Sequence, residues 1–205
     1  MANRNKPMGL TPVKYLNGAD WDGRGNVYSV ATANATILSP GDPVVLSGTA
    51  DATGKYPGIV RMTPGTGGAQ AGCVGVVIAI GLNPNGPFIN PNDLTVMQKP
   101  ANAVPVYYAL VVDDPNVIFE VQEDSDGGAL AITSVGLNCN VIFANPATGV
   151  VVSGVQLDSS SALSTLTLDC KLLRVAPYID NELGVNARWW VLINNHVFKT
   201  GNLGV

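Results

Sequence analysis

The stretches NVIFEVQ (Asn116–Gln122) and RWWVLIN (Arg188–Asn194) decide the fold of this chain. In the first, Val117, Phe119 and Val121 alternate with Ile118, Glu120 and Gln122. Successive side chains of a strand point to opposite faces, so this one reads as a half-buried antiparallel strand. In the second, Trp189, Val191 and Ile193 share one face, and Trp190 and Leu192 share the other with Arg188. Both faces are apolar and both need cover. The strand is either central to a sandwich or covered by a neighbouring subunit.

Working outward, the same period recurs nearly everywhere. Further strands are predicted at Val27–Thr32, Pro43–Leu46, Gly58–Met62, Cys73–Ile80, Leu94–Gln98 and Val104–Asp113. The rest fall at Leu130–Ser134, Asn140–Phe143, Val150–Gln156, Ser164–Leu168 and Lys171–Ala176. Twenty-three glycines and fourteen prolines punctuate them. No stretch of ten or more residues sustains a helical period, and the best helical candidate is a short turn near Asp180–Val185. The fold class is all-β, an antiparallel sandwich or barrel-like body. Residues 1–26 show no sustained period, and Pro7 and Pro12 stiffen them, so they read as an extended N-terminal arm. The body then spans 27–205, with a possible subdivision near 83–93, where Asn and Pro crowd together.

Composition narrows the function. Charged residues are only 13% of the 205, hydrophobic residues 46%, and the formal net charge is −4. So little charge leaves surface to be covered by subunit contacts, because interface cores are depleted in charge. A homo-oligomer is expected, a trimer first and a dimer second. The sequence pI of about 4.7 and the scattered Lys and Arg argue against a nucleic-acid partner, which needs a basic face for phosphates. The longest apolar stretch, Cys73–Leu82, is too short to span a bilayer, so no membrane role is expected. The N-terminus has no apolar leader core, which points to synthesis in the cytoplasm.

Little site chemistry is visible. The single histidine, His196, sits at a strand end in INNHVF, with no GxSxG elbow elsewhere. It reads as a structural residue, and no enzyme is expected. Cys73, Cys139 and Cys170 form no CxxC pair, so neither a zinc ribbon nor a redox motif is present, and no cofactor is expected. Six acids crowd between Asp113 and Asp126. Glu123, Asp124 and Asp126 raise the question of calcium, but the spacing suits turn chemistry in DDPN and EDSDGG as well. A glycoside-cleaving carboxylate pair is the weaker reading of the same acids.

The segments GLTPVKYLNGADWDG (Gly9–Gly23), VVDDPNVIFEVQED (Val111–Asp124), GLNCNVIF (Gly136–Phe143), LDSSSALSTLTLDCKLL (Leu157–Leu173) and DNELGVNARWWVLINNHVF (Asp180–Phe198) carry a family texture. Through them the chain resembles the head decoration, or cement, proteins of tailed bacteriophages. That resemblance implies a β module on the outer capsid surface, often trimeric. It bridges major capsid proteins, frequently by an extended arm, so the expected location is the virion.

Under it, Met8, Leu10, Val13, Tyr15, Leu16 and Trp21 become the expected capsid contacts, with Trp189, Trp190 and Leu192 at a subunit interface. Deleting residues 2–18 would then leave the body folded and weaken capsid binding. The rival reading is a carbohydrate-binding module of a phage host-attachment structure. It needs Trp21, Tyr28, Tyr107, Tyr108, Trp189 and Trp190 to line a groove.

Overall fold

The computed structural model describes residues 3–32, 34–65, 72–85, 97–143 and 151–199. The strands among these residues are β1 Thr11–Tyr15, β2 Asn26–Val30, β3 Pro43–Ala50, β4 Pro57–Arg61, β5 Cys73–Gly81, β6 Tyr107–Val112, β7 Val117–Gln122, β8 Asn138–Cys139, β9 Val141–Phe143, β10 Val155–Leu157, β11 Cys170–Val175 and β12 Arg188–Ile193. Strands β2-β4-β3-β5-β6 close a barrel, a five-stranded sheet runs β1-β7-β12-β11-β8, and β9 pairs with β10. All pairs are antiparallel except β2 with β4. The all-β, antiparallel body expected from the sequence is the observed one.

The two layers explain the apolar runs. Val44, Val74, Val77 and Val111 point into the barrel, beside Tyr28, Val30, Ile59 and Ala109. Their neighbours Val45, Cys73, Val76 and Val112 point outward into a second core with Phe119, Leu172, Trp189 and Val191 of the sheet. Barrel strands buried on both sides must be apolar on both sides. For the same reason β12 is apolar on both faces: it is the middle strand of its sheet. Trp189, Val191 and Ile193 enter the shared core, while Trp190 packs outside with Ile118 and Ala176, flanked by Leu192, Leu173 and Val13.

The N-terminal segment is no free arm. Residues 11–15 are an edge strand paired with β7, from Thr11 opposite Glu120 to Tyr15 opposite Val117. Leu10 is buried in the shared core, and its N–H bonds the Gly41 carbonyl at 3.0 Å. Further out, the Lys6 N–H bonds Gln122 Oε1 at 2.9 Å, and Asn3 Nδ2 donates to the carbonyls of Glu182 and Val185. An edge position tolerates Pro12, whose missing N–H would break an interior ladder. After a turn at Asn17–Gly18 the chain folds back, with Lys14 bridging Asp20 and Trp21 N–H bonding the Val13 carbonyl at 3.2 Å. That return covers the open edge of β1.

Other boundaries also shift. The possible subdivision near 83–93 lies mainly outside the described residues; β5 and β6, on either side of it, pair within one barrel. Ile132–Ser134 is a 3-10 turn rather than a strand. Residues 164–168 form turns and bends, with Leu163 alone bridging Asn138. Residues 180–185 contain turns and no helix. The expected strand Leu94–Gln98 lies mainly outside the described residues. Among the described residues, no helix is long and apolar enough to cross a membrane.

Candidate interaction surfaces

The histidine and the three cysteines are turned inward. His196 is buried beside β5, bridged to Cys73, with its Nδ1 accepting the Phe198 N–H at 3.2 Å. Burial first, and the Lys199 ammonium second, depress its pKa to about 4. A histidine held neutral in the folded state contributes stability above its unfolded pKa near 6.5, and loses it as pH falls toward the folded value. The full effect is roughly 3 kcal/mol. Melting curves at pH 7 and pH 4 should therefore show a smaller drop for His196→Gln than for the native chain. Asp42 and Glu123, whose carboxyls burial pushes upward, pull the other way. The comparison between variant and native chain is what isolates His196.

All three cysteines are free and buried. Cys139 faces Cys170 across β8 and β11, and both lie with Cys73 in the shared core. Desolvation pushes the thiols of Cys73 and Cys139 up to about 12, and that of Cys170 well above its ordinary value. A thiol is reactive only as the thiolate. A thiol-specific reagent should thus modify none of the three until the protein unfolds.

The acids separate. Glu123 turns into the protein, where its Oε2 accepts the Leu130 N–H at 2.8 Å and its Oε1 accepts from Ser125 Oγ at 3.2 Å. It does not join Asp124 and Asp126. Their companion is Asp158, brought in by the pairing of Glu123 with Leu157; one oxygen from each of the three carboxylates lies within 4.8 Å of the others. Asp124 already accepts the Ser159 N–H at 3.0 Å, and Asp158 accepts from Ser160 N at 3.1 Å. These are turn and cap bonds. Melting temperatures in millimolar calcium and in chelator should coincide; a rise of several degrees with calcium would assign a site to these carboxylates.

The expected contact residues scatter. Met8 and Leu16 are exposed, Val13 and Tyr15 are half-buried, and Leu10 is buried in the core. Tyr15 OH donates to Asp22 Oδ1 at 2.9 Å, and Trp21 Nε1 donates to the Arg24 carbonyl at 3.3 Å. Trp189 is wholly buried in its own chain, so it meets no partner subunit. Trp190 is buried too, under the Arg174 guanidinium 4.3 Å from its ring centre. Leu192 is half-buried beside it. The two tryptophans of β12 are covered by their own fold, while Leu192 keeps part of its side chain exposed.

Two concavities stand out among the described residues. The larger, about 760 Å³, lies between the β1–β2 connection and the β6–β7 turn, with Tyr15, Asn17, Asp22, Asp113 and Asp114 in its lining. Asp113 is occupied structurally, accepting from Asn26 Nδ2 and Tyr28 OH. The smaller, about 340 Å³, is lined by Arg4, Lys6, Gln122 and Arg188 among others. None of the six aromatic residues needed for a sugar groove lines either one. The groove residues come from distant parts of the chain, and no local sequence signal could have gathered them.

Where chemistry is spent, apolar side chains are not. Leu166, Ile132, Leu163 and Val135 are 82%, 73%, 58% and 47% exposed, and Ile179 is 96% exposed on the β11–β12 loop. No family model matches the chain, no curated protein matches it, and no solved structure matches its fold.

Proposed function

We propose that this chain is a non-catalytic structural protein that decorates the outside of a bacteriophage capsid and stabilises contacts between major capsid proteins. The observation behind this reading is an inversion of the usual enzyme pattern. The histidine and the thiols are locked in the core, while large apolar side chains project at turns of a charge-poor body. Exposed apolar surface of this kind suits protein contacts. Several such contacts per oligomer add at high effective concentration, so each can stay weak.

Co-sedimentation with undecorated, expanded heads tests the reading. Saturable binding at micromolar concentration is expected; a protein that stays in the supernatant at saturating head concentration would remove it. The sugar-binding alternative has the larger groove in its favour, but among the described residues Tyr15 alone brings an aromatic ring to that groove. A glycan array is expected to be blank.

A further inference from the structure

We infer that a second copy of this chain docks on the β8 edge of the five-stranded sheet, over a face centred on Ile132, Val135, Leu163 and Leu166. The inference rests on the self-associating body of the decoration reading and names its contact face.

The first observation is in the sequence. Between Asp126 and Asp169 there is a single charged residue, Asp158. Ordinary usage would place about ten charges in a stretch of that length.

The second is where the fold puts that stretch. Asn138 and Leu163 exchange both backbone hydrogen bonds, at 2.8 and 2.9 Å, and Asn138 Nδ2 donates to the Thr165 carbonyl at 2.9 Å. Residues 132–138 and 163–166 therefore lie side by side. Ile132, Val135, Leu163 and Leu166 are each exposed on these two segments, and neither segment carries a charge. The backbone of this edge is already paired by the Leu163 bridge, so it offers little template for adding a strand. Side chains must make the contact.

The third concerns the occupant. A charge-free centre is the chemistry of a lasting contact between copies, since such interfaces resemble a core cut in two. The flanks add complementarity. Asp124, Asp126 and Asp158 border the face through the 3-10 turn at Ser159–Ser161, which Asp158 caps. Lys171, which pairs with Asn138 and donates to the Gly136 carbonyl at 3.2 Å, borders it through β11, with Arg174 beyond. In a two-fold pair residue i meets j and j meets i, so each acidic flank can face the other copy's basic flank. A three-fold ring would bring the same flanks together head to tail.

Light scattering on a size-exclusion peak tests this without any capsid, so its failure and that of the decoration reading are separate results. The full chain at micromolar concentration should weigh two or three times 21.2 kDa. Leu166→Asp and Leu163→Asp should weaken association by at least about tenfold while their melting curves stay native. Leu166 is exposed enough to change without touching the core, and Ile179→Asp, on another loop, should leave the mass unaltered. A native chain that is monomeric, or charged variants that assemble as well as it does, would overturn the proposal.

Discussion

Removing residues 2–18 is expected to unfold the chain. The deletion takes away β1, the whole edge of the five-stranded sheet, and with it the ladder to β7. It also takes Leu10 out of the shared core, Tyr15 from its margin, and Val13 from the outer cluster around Trp190. Burying a large apolar side chain contributes about 1.5–3 kcal/mol, so the three together supply on the order of 5 kcal/mol. That is comparable to the whole net stability of a domain, about 5–15 kcal/mol. The milder Leu10→Ala should cost about 2–5 kcal/mol. Circular dichroism and a denaturant titration distinguish the cases. A truncated chain that melts cooperatively near the native temperature would mean that β1 is dispensable.

Gly75→Ala carries the second large effect. Gly75 lies in β5, where barrel and sheet meet, with φ at +155°. A Cβ built there would stand 2.0 Å from the Val112 carbonyl oxygen and 3.0 Å from Asp113 Cα. Both are backbone atoms of the neighbouring chain segment and cannot swing aside as a side-chain tip would. Relief requires β5 and β6 to part, which disturbs the barrel core and the shared core at once. Strain at such a φ and forced overpacking together cost at least about 3 kcal/mol. For a chain of this size that lowers the melting temperature by roughly 6–12 °C. Gly48→Ala is the control: its φ is +73°, yet its Cβ would meet nothing within 4 Å, so only the backbone strain applies.

The strands that could be read from the sequence were those whose two faces differ or are both buried. β7 and β12 followed from alternation and β5 from an uninterrupted apolar run, but β7 is not the half-buried strand expected: Ile118, Glu120 and Gln122 on its second face are buried too. β1 was missed because Pro7, Pro12 and polar neighbours look like arm. At an edge, a proline costs the ladder little, and the bulge between Pro12 and Lys14 blurs the period. Leu130–Ser134 and Ser164–Leu168 were misread for the opposite reason. Their Leu, Ile and Thr content is strand-like, but Ile132 and residues 164–167 face outward on turns, and Leu130 alone of its segment's apolar residues enters the core.

The contact surfaces were largely hidden. Trp190 looked available until Arg174 was placed over its ring, a packing relation set by a bulge in β11. The carboxylate group around Asp124 needed Asp158, which only the pairing of residues 123 and 157 supplies. The scarcity of charge between residues 127 and 168 stands in the sequence, but the meeting of Asn138 and Leu163 at the β8 edge does not.

The most direct measurement is electron cryo-microscopy of expanded heads with and without this protein. Added density is expected on the outer surface of the shell, at fixed positions between major capsid proteins and large enough for the whole β body. Added density at a tail or fibre site, or shells that look the same in both preparations, would contradict it.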